Sequence, residues 1–156
     1  MAALLAIDLG LCAGLAIYGA DGRLSSYASR NFGNRSRLKR AIPNVLAAVP
    51  GLKVVVVEGD RSMGEWWAKA AERHGATTLF VSAEVWRPRL LLSREQHSGV
   101  DAKHFADRLS RRVIAWSGAK APTSLNDDAA EAILIGLWGV LEVGWLKTLP
   151  RGLTSR

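Results

Sequence analysis

The chain has 156 residues and a mass of 16.9 kDa, the size of one domain and too short for a second full core. Hydrophobic residues make up 49% and charged residues 22%, the balance of a folded globule and not of a disordered tail or a fibre. Twenty-one Lys and Arg against fourteen Asp and Glu give a net charge of +7, which points to a polyanionic partner, nucleic acid before a membrane surface, with a solubilising surface as the plain alternative.

In chain order, Ala3-Leu4-Leu5-Ala6-Ile7 is an unbroken apolar run, the pattern of a strand covered on both faces. The wider run from Ala2 stops at Asp8; it is too short to cross a bilayer, and no basic leader precedes it. Neither a signal peptide nor a membrane helix is expected, and the cytoplasm is the expected location. The lone cysteine, Cys12, cannot form an internal disulfide, no Cys/His cluster has zinc spacing, and Cys12 is expected to be buried and inert. Gly10 and Gly14 bracket a turn, and Leu15-Ala16-Ile17-Tyr18 resumes an extended stretch. Ala20-Asp21-Gly22 reads as a hairpin turn, because Asp-Gly favours the positive φ that such turns need. Leu24 to Ser29 is the candidate third strand. Ser36 to Ala48, with apolar residues at 38, 42, 45, 46 and 49, is an amphipathic helix with Pro43 as an irregularity, and Pro50-Gly51 ends it.

Lys53-Val54-Val55-Val56-Val57-Glu58 is the clearest strand, its run of β-branched residues marking a central, fully covered position. Ser62 to His74 follows as a helix closed by Gly75, and Thr77 to Val81 as a short strand. Ser82 opens a helical segment that Pro88 perturbs, and Ser93 to Gly99 reads as a polar loop. From Val100 to Trp116 the apolar positions 102, 105, 106, 109, 113 and 116 form one helical face, with His104, Arg108, Arg111 and Arg112 on another. Ala119 to Asn126 is a linker with Pro122, and a last helix spans about Asp127 to Trp145. Residues from about 147 to 156 are expected as a flexible basic tail. The order β-β-β-α-β-α-β-α-α predicts one α/β domain over 1–156, a mixed five-stranded sheet, three strands antiparallel then parallel, covered by helices on both faces.

Asp8 ends the first buried strand and Glu58 the central one. Adjacent parallel strands that both end in a carboxylate bring those groups to one sheet edge, where ligands of open α/β sheets bind. Asp128 and Glu131, three apart, share one face of the last helix; Asp127 lies about 100° round and shares it at most in part. Each acid also has a plainer reading. Ser124-x-x-Asp127 resembles a capping box, acids suit the first turn of a helix, Glu58 could be a surface residue and Asp8 a turn residue. Gathered together, like charges raise one another's pKa unless a cation sits among them. Mg²⁺ or Mn²⁺ suits oxygen donors, and two such ions about 3.5–4 Å apart would activate a water and stabilise the leaving oxygen of a phosphodiester.

Ile7-Asp8-Leu9-Gly10 with Gly14 and Ala16, the strand Val54 to Glu58, and Asp128-Ala129-Ala130-Glu131-Ala132-Ile133-Leu134-Ile135 resemble the RuvC family of Holliday junction resolvases, in the RNase H-like superfamily. Val85-Trp86-Arg87, then Lys103 on a basic helix, are similar to its phage-type branch. The resemblance runs from residue 4 to about 140. It implies an RNase H-like fold and four catalytic, metal-binding carboxylates, Asp8, Glu58, Asp128 and Glu131. It also implies two Mg²⁺ ions per site, with Mn²⁺ as a substitute. The implied molecule is a homodimer that resolves four-way DNA junctions in recombination and repair, leaving nicked duplexes with 5′-phosphates. Two departures stand out. The last ligand position, often Asp in the family, is Glu131, and Asp127 adds a spare carboxylate that leaves the helix register open by one. Where the family carries an aromatic after the strand-end Glu to open the junction, this chain has Arg61, and the nearest aromatics are Trp66 and Trp67.

The cations are clustered. Six lie between Arg23 and Arg40 with no acid among them, and eight between Arg87 and Lys120 against three acids. Lys103, by family position, then Arg87 and Arg89 around Pro88, lead the candidates for DNA phosphates, with Arg108, Arg111, Arg112 and Arg61 behind them. Arg35, Arg37, Lys39 and Arg40 could reach a second arm of a branched DNA. Trp66 and Trp67 cannot share a helix face; one is core or a dimer contact, and the other could stack on a base. The helix from Ser62 to His74 is the expected dimer interface. Trp86, Trp116, Trp138 and Trp145 are expected to pack; His74, His97 and His104 show no paired spacing, and His97 or His104 could lie near the metals, with an ordinary surface histidine as the plainer reading. Two other readings stay open: a nuclease of the same fold acting on other branched DNA (flaps, forks) or structured RNA, and a non-catalytic branched-nucleic-acid-binding module.

Overall fold

The computed structural model describes residues 1–91 and 98–153. Most of the polar loop expected from Ser93, His97 included, therefore lies outside the described residues. Five strands make one sheet: β1 (Ala3–Asp8), β2 (Cys12–Gly19), β3 (Leu24–Asn31), β4 (Leu52–Glu58) and β5 (Thr77–Val81). Their order is β3-β2-β1-β4-β5, with β1–β2 and β2–β3 antiparallel and β1–β4 and β4–β5 parallel. The helices are α1 (Arg35–Ala47), α2 (Arg61–Arg73), α3 (Ala83–Leu90), α4 (Gly99–Ser117) and α5 (Asp127–Glu142). Three helices follow β5 where the sequence order counted two. The segment after Ser82 holds its helix through Pro88, anchored by the buried Trp86 and Leu90.

The β1 run is apolar throughout because both faces of that strand are covered. Leu4 and Ala6 join one core cluster with α3, α4 and α5; Ala3, Leu5 and Ile7 join another with α1 and α2. β4 divides the same way, Val56 to the first cluster and Val55 and Val57 to the second. The result is helices on both faces of the sheet.

α5 is apolar nearly all round, the pattern of a buried helix, and it lies directly on β1 and β2. Glycines bring it close. A Cβ on Gly136 would stand 2.3 Å from the Tyr18 ring, and one on Gly139 would stand 2.9 Å from Val56. Two hydroxyls fix its backbone: Tyr18 donates to the Ile133 carbonyl at 2.5 Å and the fully buried Ser110 to the Ala130 carbonyl at 2.8 Å. At the start of α5 the contact is backbone on backbone, since a Cβ on Gly14 would lie 1.8 Å from the Asp128 carbonyl oxygen. The end of α4 and the segment leading into α5 are clipped to β3 and the residue before it. The Arg23 guanidinium donates to the Trp116 carbonyl, the Leu24 amide to Ser117 Oγ at 2.9 Å, and the Tyr27 hydroxyl to the Lys120 carbonyl at 2.6 Å.

Several expectations are corrected. Cys12 is exposed: it opens β2 beyond the end of β1, where its strand partner is Asn31 of β3. β3 extends to Asn31 through its pairing with Cys12. α5 stops at Glu142, with Gly144 in a left-handed turn (φ 80°). The chain stays packed to residue 153, where a loose tail from about 147 was expected: Arg151–Leu153 form a 3-10 turn and Leu153 is buried in the main core. Among the described residues no helix is long and apolar enough to cross a membrane.

Gly14→Ala would force α5 away from β2. An overpacked site of this kind costs about 1–3 kcal/mol, so a urea melt of Gly14→Ala should show at least that loss. Gly99→Ala is the control. Nothing among the described residues lies within 4 Å of its added Cβ, and its melt should stay within about 0.5 kcal/mol of the parent. Equal stability of Gly14→Ala and the parent would contradict the backbone contact.

Candidate functional site

β1 and β4 are parallel and in register, so Asp8 stands opposite Glu58 at the strand ends. Side chains alternate along a strand, and these two fall on the side of Leu4, Ala6 and Val56, the side that α5 covers. The chain leaves β4 sharply. The Leu9 amide donates to the Glu58 carbonyl at 2.9 Å, and Gly59 takes φ 129°, a conformation L-residues avoid, with Leu9 against it.

α5 begins over this edge, brought there by the Gly14 contact. Asp128 is half-buried and its charge acts on Asp8; Asp127 is exposed and its charge acts on Glu131. The Asp127 carboxylate lies 3.7 Å from Lys103 Nζ, at a rim where both side chains are exposed. Burial first, then the charges of Glu58, Glu131 and Asp128, raise the Asp8 carboxyl to about 7. Burial also raises Glu58 and Glu131, whose charges act on each other or on Asp8. Among the described residues one cation works against all three: Arg87, from α3, whose Nη2 lies 3.4 Å from Glu131 Oε1.

Asp8, Glu58, Asp128 and Glu131 are thus brought to one place, with Arg87 among them. No three Asp, Glu, His or Cys side chains among the described residues are gathered closely enough, as they stand, to hold an ion between them. Their chemistry fits a hard divalent cation all the same. The donors are all carboxylate oxygens, and three of them are held above their ordinary pKa by burial first and then by neighbouring acids, Glu84 in the case of Glu58, which a cation would relieve.

The other candidates divide between two flanks of this edge. Lys103 lies on α4, beside the start of α5. On the opposite layer, Arg61 opens α2 just past Glu58, pairs with Glu65 at 3.2 Å and lies 3.7 Å over the Phe80 ring. Arg35 and Lys39 of α1 lie 5.1 and 4.4 Å from the Trp66 ring centre, and Arg37 and Arg40 are exposed beside them. Arg111 pairs with Asp107 at 3.0 Å, Arg108 lies over Phe105, and Arg112 is half-buried on α4. Arg89 does not join the cluster. It pairs with Glu142 at 2.9 Å, at the far end of α5, about 16 Å along the helix from Glu131. Trp67 is fully buried, edge-on to Phe32, and cannot stack on a base; Trp66 is the half-exposed one, its ring already covered by two cations. His104 is exposed and edge-on to Phe105.

Sequence reasoning missed one group and one pairing. Glu84, at the start of α3, adds negative charge near Glu58. Arg87, read from sequence as a candidate phosphate contact, also sits against Glu131, a pairing across 44 positions that no spacing rule anticipates.

Sheet order, strand directions and the helices on both faces define the RNase H-like fold. The solved structure of T. thermophilus RuvC in complex with Holliday junction substrate has the same fold. It matches with a TM-score of 0.60 and 16% sequence identity, over 96% of this chain and all of that one. No protein-family model matches the sequence, and a search of curated proteins finds no match.

The raised Asp8 carboxyl makes a prediction for the metal-free protein. Between about 4 and about 7 the folded chain keeps a proton that the unfolded chain has lost, so folding stability falls as pH rises through that window. The loss is of the order of 2–4 kcal/mol. In EDTA, Asp8→Asn should match the parent's melting temperature near pH 4 and exceed it at pH 8. Equal melting at both pH values would contradict the clustering.

Proposed function

We propose that this chain is a divalent-metal-dependent endonuclease that resolves four-way DNA junctions, working in the cytoplasm as a homodimer. The observation that carries the reading is the registered pair Asp8 and Glu58 beneath the first two turns of α5, where Asp128 and Glu131 act on Asp8. The structural neighbour, which is bound to Holliday junction substrate, supports the substrate class. The likeness of Val85-Trp86-Arg87 and Lys103 to the phage-type branch rests on sequence.

Divalent ions held by the four carboxylates would supply an activated water and charge neutralisation at the leaving oxygen. The chain's own residues do the rest. Strand ends and the pinned start of α5 hold the carboxylates with little freedom, which is what a precise in-line attack at phosphorus requires. Lys103 on one flank and Arg61 on the other are exposed and take DNA phosphates. Their present ion pairs are solvent-exposed and cost little to exchange. Arg35, Arg37, Lys39 and Arg40 take a second arm. Cleavage leaves nicked duplexes with 5′-phosphates. A four-way junction has near two-fold symmetry, so paired cuts suit a C2 dimer. The outward positions of α2, among them Arg61, Lys69, Glu72 and Arg73, are charged and exposed, so an interface there would pair charges.

The test sets end-labelled four-way, three-way and flap DNA and an RNA hairpin against the parent and Asp8→Asn, with Mg²⁺ and with EDTA. The parent should cut the four-way substrate first and only with Mg²⁺. Asp8→Asn should bind it equally well while cleaving at least about 1,000-fold more slowly. Preferential cutting of flaps or RNA would move the activity to another branched substrate. Binding without any cutting by the parent would make the chain a binding module and overturn the enzyme reading.

A further inference from the structure

We propose that Arg87 is the built-in counter-ion of the carboxylate cluster, and that divalent ions enter by displacing its guanidinium from Glu131. The inference rests on the metal-binding reading above and adds to it a competition within this chain.

Three observations carry it. The first is the contact itself. Arg87 Nη2 reaches Glu131 Oε1 at 3.4 Å, a single long contact where a charge-assisted pair usually closes to about 2.7–2.9 Å. Such a contact holds a carboxylate in place yet exchanges readily. The second is position: Asp8 and Glu58 stand side by side at the ends of β1 and β4, on the side of the sheet that α5 covers, and Arg87 approaches that edge from α3 to reach Glu131. A divalent ion bound by those oxygens would answer the same need for positive charge, so both cannot be fully engaged with them at once. The third is the arrangement of the acids. Among the described residues no three of them stand as an ion's ligands, as expected when a guanidinium occupies one of the donors.

The anchoring of Arg87 suits an exchange. Trp86 and Leu90 are buried on either side of it, and the next arginine, Arg89, ties α3 to α5 through Glu142 at 2.9 Å. The backbone of Arg87 is therefore held while its side chain, about a third exposed, is free to turn outward. Ion loading would then release the guanidinium to the DNA phosphate that sequence reasoning assigned to it.

The test uses Mn²⁺ alone, without DNA, by titration calorimetry on the parent, Arg87→Gln and Asp8→Asn. Arg87→Gln should bind Mn²⁺ about tenfold more tightly than the parent, because one competing charge is gone. Asp8→Asn should lose the heat, which ties the signal to this site. Equal or weaker binding by Arg87→Gln, with the parent binding normally, would overturn the competition and leave the metal reading standing. Absence of Mn²⁺ binding in both the parent and Arg87→Gln would overturn both. A second readout needs no folded variant: the Arg87 Nε–H resonance of the parent should shift on Mg²⁺ titration, and a resonance that stays fixed at saturating Mg²⁺ would refute displacement.

Discussion

The constraint on which the rest depends is the close seating of α5 on β1 and β2. It brings four negatively charged groups into one partly dry space, an arrangement that is unfavourable by itself. Raising Asp8 to about 7 corresponds to an electrostatic and desolvation cost of a few kcal/mol. Against this stand the apolar residues of α5. Ile133, Leu134, Ile135 and Leu137 are each wholly buried, and each contributes roughly 1.5–3 kcal/mol. The core therefore wins, and it holds the acids where their own repulsion would separate them. The glycines set how near the helix can come, and the Tyr18 and Ser110 hydroxyls fix it along its axis.

The charge of +7 takes on meaning once it is placed in space. The cations flank an acidic edge from both layers of helices, and many already have partners, either a carboxylate or an aromatic ring. Exposed pairs of this kind contribute about 1 kcal/mol or less, so a polyanion can recruit their cations at small cost. Arg87 differs from them in being turned inward, to the acids themselves.

Much of this was legible in the sequence wherever a local pattern decides the structure. The double-sided burial of β1 and β4 is written in their unbroken apolar runs, and the strand-end positions of Asp8 and Glu58 follow from where those runs stop. The i,i+3 relation of Asp128 and Glu131 is helical arithmetic. What stayed hidden needed tertiary information. Asp127 and Asp128 are equivalent until the rotation of α5 about its axis is fixed, and the Gly14 backbone contact fixes it. Arg89 pairs with Glu142 across 53 positions of sequence, which no spacing rule anticipates. Cys12 and Trp67 carry similar apolar signals, yet one lies beyond the end of β1 and the other beneath α1, so their exposures are opposite.

Crystals grown with Mn²⁺ and measured at its absorption edge test the central claim most directly. Anomalous density bridging the side chains at positions 8, 58, 128 and 131, with Arg87 turned away from Glu131, is the expected result. Strong density elsewhere on the chain, with those carboxylates unliganded at saturating Mn²⁺, would contradict it.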